Sequence, residues 1–224
     1  MSGFLGLSLL GGVAALDGTS VGQVMISRPL VVGFLAGALV GDPLTGATVG
    51  ALLELFLLVS YPSGGVRFPE GATATVVAVA SASVVEGPGS LAVGFALGLL
   101  WGQVGGLSIT ALRHGNGRLA PEPGQLRHPS RLLPARHLAA LLLDLVRGVA
   151  VSATGILVGA NVVRWVAPHW PLEGGAVMGL LLSGAAASTG IYLRDLGGLG
   201  RRPFLLVLGL GLGLVLGWFG GGLS

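Results

Sequence analysis

The sequence predicts an all-α integral membrane protein: a multi-span helical bundle with broken or re-entrant half-helices in its N-terminal half. Three observations carry that expectation. Charged residues make up 9% of the 224-residue chain, hydrophobic residues reach 52% and mean hydropathy is +0.87. A soluble domain carries about 25% charge, so this chain has too little to cover a water-exposed surface, and it is too apolar for a disordered one. Glycine supplies 42 residues, far above the usual share of about 7%. Uncharged runs of 26, 20 and 22 residues occupy 87–112, 174–193 and 203–224. At about 1.5 Å per helical residue each can cross a hydrocarbon core of about 30 Å.

The N-terminal half is built differently. Met1–Leu16 is apolar without the basic stretch of a cleaved signal peptide, so no cleaved signal peptide is expected there. Charges then fall at Asp17, Arg28, Asp42, Glu54, Arg67, Glu70 and Glu86, and the runs between 17 and 67 hold only 10, 13, 11 and 12 residues. A helix of about 12 residues covers about 18 Å, roughly half a bilayer. Such pieces are tolerated at membrane depth only where they line a cavity or lie buried in protein. Residues 1–86 are therefore the expected site-forming half. Within it, Gly41 to Gly46 forms a turn, with Asp42 or Thr45 as the helix cap. Tyr61 to Gly71, with two Pro, three Gly and two charges, predicts irregular backbone, either an ordinary loop or a cavity wall.

Residues 87–112 form the first full span. The polar stretch 113–137 holds five Arg, three His, one Glu and four Pro, and the positive-inside rule places it in the cytoplasm as a basic loop. Residues 138–224 supply three spans: 138–163 if Asp144 and Arg147 are accepted inside it, then 174–193 and 203–224. The Arg164–Glu173 connection carries one charge of each sign and falls outside. Arg194, Arg201 and Arg202 fall inside again, which leaves the C-terminus outside.

Glycines at four-residue spacing form three ladders: Gly33, Gly37 and Gly41; Gly94, Gly98, Gly102 and Gly106; Gly209, Gly213, Gly217 and Gly221. That spacing stacks them on one helix face, where a neighbouring backbone can approach. The Gly-Leu-Gly-Leu-Gly of 209–213 lacks the strand and the later acidic residue of a nucleotide-binding loop.

Several function classes are excluded. No cysteine is present, so disulfides, thiolate metal sites and cysteine catalysis are ruled out. All twelve basic residues are Arg, a bias of composition, and a net charge of only +3 argues against a nucleic-acid partner despite a pI near 10.6. HExxH, P-loop and GxSxG motifs are all missing. No catalytic residue, metal or cofactor of its own is expected.

Glu54 is the leading binding candidate. It stands within Gly50-Ala-Leu-Leu-Glu-Leu-Phe-Leu-Leu-Val59, with no other charge within ten residues. A carboxylate at bilayer depth costs about 2.5–3.5 kcal/mol on insertion scales and usually faces a cavity or a partner. Two readings stand: a tie to an Arg such as Arg28 or Arg147 or to helix ends, or, favoured, contact with a ligand whose hydroxyls it accepts. Asp144 and Arg147 lie three apart on one helix and are expected to neutralise each other. Gln103, inside the first full span, serves equally as interhelical glue or as a hydroxyl ligand.

Three segments together resemble the IIC membrane subunit of the mannose–fructose–sorbose type sugar phosphotransferase system. They are Arg28-Pro-Leu-Val-Val-Gly33 followed by Gly41-Asp42; Gly46 followed by Gly50-Ala-Leu-Leu-Glu-Leu55; and Pro62-Ser-Gly-Gly-Val-Arg-Phe-Pro-Glu70, which is similar to the family's Pro-x-Gly-Gly-Ala-x-Pro-Pro-Asp. Asp17 also falls where the family has an Asp, and Gln103 and Arg147 fall where it tends to have the same residues. Glu70 stands where the family usually has Asp, and Arg67, in a stretch that is usually uncharged, is placed to pair with it.

The resemblance implies one membrane permease domain over 1–224, in a bacterial cytoplasmic (inner) membrane, translocating a hexose. A IID membrane subunit would be its partner, soluble IIA and IIB phosphocarriers would phosphorylate the sugar, and a homo- or hetero-oligomer is expected. It implies Glu54, Glu70, Gly64, Gly65, Gln103 and Arg147 as substrate-path residues, with Asp17 and Arg28 beside them. Two other functions fit the same features: a sugar permease working without phosphorylation, and a non-transporting scaffold or sensor docking a cytoplasmic partner through 113–137.

Overall fold

The computed structural model describes residues 2–58, 66–119, 129–195 and 197, with positions 204, 207–209 and 211 beyond them. Among the described residues seven α-helices follow in order: α1 (Ser2–Thr19), α2 (Pro29–Val40), α3 (Pro43–Phe56), α4 (Gly71–Ala82), α5 (Pro88–Leu119), α6 (Pro129–Val166) and α7 (Gly174–Asp195). A single 3-10 turn, Ala167–His169, separates the last two. No strand occurs among the described residues.

Among the described residues three helices are long and apolar enough to cross a membrane: Pro88–Arg118, Leu133–His169 and Gly174–Asp195. α2, α3 and α4 hold 12, 14 and 12 residues, about half a bilayer each. The bundle with half-length helices in its N-terminal part is thus present. Five of the seven N-terminal charges sit at helix ends: Asp17 in the last turn of α1, Arg28 and Asp42 before α2 and α3, Glu54 in the last turn of α3, Glu70 before α4; Arg67 falls in the irregular 66–70 segment and Glu86 in the connection from α4 to α5.

The long helices outrun the uncharged segments. α5 continues through Arg113 to Leu119 and α6 starts at Pro129, so much of 113–137, expected as a loop, is helical, and 120–128 lie outside the described residues. Charge ends a hydrophobic run, but Arg and His are compatible with helix once the backbone emerges into water. Pro134 sits early in α6. The third glycine ladder and the 203–224 span fall almost wholly outside the described residues.

α4 is the hub. Every residue from Ala72 to Ser81 is buried, and the run of Ala, Thr, Val and Ser lets five neighbouring helices approach it. The second glycine ladder lies along α5 against this helix. A Cβ on Gly94 would come 2.7 Å from the Ala82 nitrogen, and one on Gly98 would come 2.8 Å from the Ala74 oxygen. α2 and α3 form a tight antiparallel hairpin by the same device: a Cβ on Gly33 would sit 2.8 Å from the Gly50 Cα, and one on Gly46 would sit 2.6 Å from the Gly37 Cα.

Gly41, grouped with that ladder by spacing, has open space around it and a φ of 92°. It is the left-handed C-cap of α2, a role for which glycine is favoured. Asp42 then caps α3, accepting the Thr45 N–H at 3.0 Å, as its position in the turn predicted. α7 docks on α3 through Ser188, whose hydroxyl donates to the Phe56 carbonyl at 3.1 Å, while Phe56 meets Phe95 edge to face at 5.1 Å.

Candidate functional site

The half-helices converge on a cavity of about 440 Å³, within the range of about 300–1,000 Å³ usual for small-molecule sites. Its walls are the end of α1, the 20–28 connection, the first residues of α2, the last turn of α3, the 66–70 segment and one face of α5. Asp17, Arg28, Glu54 and Glu70 all line it. Four of the residues singled out from sequence are therefore brought together from four different elements.

Glu54 reaches from the end of α3 to the start of α2. Its Oε2 accepts the Leu30 N–H at 3.0 Å, and Oε1 lies 3.6 Å from an Arg28 guanidinium nitrogen. The first N–H groups of a helix have no intrahelical partner and carry the positive end of its dipole, so the carboxylate is stabilised there. The tie to Arg28 is loose: the Glu54 side chain is 27% exposed and that of Arg28 is 55% exposed. Both keep hydrogen-bonding capacity toward the cavity.

Asp17 is committed differently. Its two oxygens accept the Val24 and Ser27 backbone N–H groups, each at 2.9 Å. The carboxylate shapes the 20–28 connection and has little left for a ligand. Within that connection Gln23 and Met25 both have positive φ, at 52° and 70°, an uncommon state for non-glycine residues that costs on the order of 1–3 kcal/mol each. Both line the cavity.

Glu70 is buried at the cavity floor. Its backbone N–H donates to the Gly102 carbonyl at 2.8 Å, which docks the start of α4 on α5. Its Oε1 accepts from Arg147 Nη2 at 2.7 Å; its Oε2 accepts from Arg147 Nη1 at 3.1 Å and from the Thr73 hydroxyl at 2.7 Å. This is the bidentate fork that guanidinium and carboxylate planes favour. Arg67, expected to pair with Glu70, is exposed instead, because Arg147 reaches the carboxylate from inside the bundle.

Arg147 also holds Asp144. Its Nε donates at 2.9 Å and its Nη2 lies 2.8 Å from the same Asp144 oxygen, the i,i+3 pairing that the sequence indicated. The Thr19 and Ser20 hydroxyls donate to the other oxygen of Asp144, and Arg147 Nη1 donates to Ser108 Oγ at 2.9 Å. The guanidinium is thus fully engaged, with its side chain only 9% exposed, and Arg147 does not itself line the cavity. The network ties α1, α4, α5 and α6 together behind Glu70.

The remaining candidates lie elsewhere. Gln103 is exposed on α5 and does not line the cavity, and Gly64 and Gly65 fall outside the described residues. Arg113, which sequence reading placed with the basic loop, does line the cavity. It donates to the Val66 carbonyl at 3.4 Å and lies 5.8 Å from the centre of the Phe68 ring. The one sequence signal for it was its position at the end of an uncharged run, which marks a span end rather than a site. Among the described residues no group of His, Asp and Glu is arranged to hold a metal ion.

Comparison with known proteins places this geometry in a family. A solved structure described as "Structure of membrane protein" superposes with a TM-score of 0.71 at 17% identity, covering 100% of this chain and 93% of that one, which establishes a shared fold. A search of curated proteins gave no match. The family model described as "PTS system sorbose-specific iic component" matches residues 4–186. The chain therefore belongs to the sorbose-specific IIC family of phosphotransferase-system components, as a multi-pass membrane subunit of a sugar permease.

Proposed function

We propose that this subunit carries a hexose across a bacterial cytoplasmic membrane, together with a IID membrane subunit, and delivers it for phosphorylation by IIA and IIB phosphocarriers. The observation that supports this most is the cavity lined by Asp17, Arg28, Glu54 and Glu70. It is of sugar-compatible size, and it presents a partly exposed carboxylate and a partly exposed guanidinium side by side. Carboxylates accept hydrogen bonds from hydroxyls and guanidinium donates to them, so adjacent sugar hydroxyls meet complementary partners. Glu54 and Arg28 are the direct contacts in this reading. Glu70 is the carboxylate at the floor, Asp17 shapes the wall, and Arg147 acts through Glu70.

Arg113 supports the coupling to phosphorylation. It opens the basic stretch that the positive-inside rule assigns to the cytoplasm, and it also lines the cavity. A cavity reached from that side faces the compartment where soluble phosphocarriers act. The test is uptake of radiolabelled hexose by vesicles containing the full complex, with the internal product identified. Sugar phosphate that accumulates only with phosphoenolpyruvate and the soluble components is the expected result. Accumulation of unmodified sugar without them would instead establish a phosphorylation-independent permease.

A further inference from the structure

Gly22, Gln23 and Met25 have φ values of 90°, 52° and 70°. Glycine takes such a backbone at little cost, but glutamine and methionine do not. A strained conformation persists only where its surroundings over-determine it, and here the restraint is visible. The Asp17 carboxylate bridges the Val24 and Ser27 amides, and the Thr19 and Ser20 hydroxyls at the head of the connection are fastened to Asp144. Gly22 is needed for the same closure, since a Cβ there would come 2.9 Å from Asp17 Oδ1.

Internal packing does not account for the strain. The Met25 side chain belongs to a residue 64% exposed, and Gln23 is exposed with no hydrogen bond to its carboxamide among the described residues. Both nevertheless line the cavity shared by Glu54 and Glu70. The chain therefore spends backbone energy in a connection that presents both side chains to an open cavity.

We propose that Gln23 and Met25 are specificity-determining contacts. The Gln23 carboxamide hydrogen-bonds neighbouring sugar hydroxyls, and the Met25 thioether lies against the apolar C–H face of the ring. A carboxamide offers a donor and an acceptor side by side, which matches a pair of hydroxyls and adds a donor that carboxylates lack. A thioether on an unbranched stem adapts to irregular apolar surfaces. The inference rests on the sugar-path reading of the cavity.

The test uses the full complex in vesicles, with initial uptake rates of D-mannose, D-fructose and L-sorbose measured against concentration and thermal unfolding followed in parallel. Gln23→Ala should raise KM for the preferred hexose about tenfold with little change in maximal rate, and should narrow the preference among the three. Gln23→Gly and Met25→Gly should also raise KM, yet keep or raise the melting temperature, because glycine fits the positive φ. An unchanged KM and unchanged preference in all three variants would overturn the assignment while leaving the sugar path intact. Unchanged KM with loss of the co-purifying membrane partner would overturn it in favour of a subunit contact. A wild-type complex that takes up none of the three sugars would sink the sugar-path reading and this inference with it.

Discussion

Arg147 shows how much a single side chain carries in this protein. It satisfies two carboxylates from helices far apart in sequence, Glu70 and Asp144, and both carboxylates are otherwise held by hydroxyls. Removing one partner of a buried, hydrogen-bonded ion pair costs about 3–5 kcal/mol because the remaining charge is left unpaired. Arg147→Ala should therefore lower the melting temperature of the purified protein sharply. Arg147→Lys should recover only part of the loss, since an ammonium cannot fork across a carboxylate. A melting temperature unchanged in Arg147→Ala would contradict the geometry described. The Asp144–Arg147 half of this network was legible from its three-residue spacing. The Glu70 half was not, because a pairing across 77 positions depends on how α4 and α6 pack, which no local pattern encodes. Glu54 stands out by its isolation in an apolar run, and a tie to Arg28 or to a helix end is one of its two readings; which helix end it meets, the first turn of α2, depends on the hairpin.

The α2–α3 hairpin shows what the glycine ladders do. Gly33 and Gly37 face Gly46 and Gly50 so closely that the two backbones are in contact. Gly46→Ala places a methyl group 2.6 Å from the Gly37 Cα and should destabilise the protein by on the order of 1–3 kcal/mol through overpacking. Gly115→Ala, on an exposed stretch of α5 with nothing near its Cβ, should instead stabilise it by about 0.5–1 kcal/mol. Thermal unfolding of the two variants separates packing from propensity, and equal shifts would refute the packing account. Four-residue spacing predicted which faces are close-packed, whereas Gly41 shows its limit. Spacing cannot distinguish a packing glycine from a left-handed cap, because the difference lies in φ. Charge positions located most of the helix breaks, for Asp17, Arg28, Asp42, Glu54 and Glu70 all fall at or within one turn of a helix end, while Arg67 and Glu86 fall in connections. They mislocated the ends of α5 and α6, where helices extend past the apolar core into polar surroundings.

Across the whole molecule, small buried residues and a few charges organise the centre, while large apolar side chains face outward. Leu142, Leu143, Val146, Leu157, Val158, Leu180, Leu182 and Ile191 are all exposed on α6 and α7, as expected of surfaces turned to lipid or to a membrane partner. The distribution of Arg predicts orientation, and the absence of cysteine makes it easy to test. A single cysteine at position 118 should react with a membrane-impermeant maleimide only from the cytoplasmic face, and one at position 173 only from the opposite face. Labelling of both from the same side would contradict the assigned topology, and with it the cytoplasmic placement of Arg113 at the cavity wall.

The central claim is that the cavity between the half-helices is the sugar path and that Glu54 touches the sugar. It is tested most directly by concentration-dependent uptake of radiolabelled hexose into vesicles bearing the full complex, comparing wild type with Glu54→Gln and Glu54→Ala. Gln keeps an acceptor for the Leu30 N–H, so the capping contact survives while the charge is lost. A KM raised about tenfold or more in both variants, equivalent to about 1.4 kcal/mol of lost binding, is the predicted result. Wild-type uptake by Glu54→Ala at sub-saturating sugar would remove Glu54 from the path and contradict the claim.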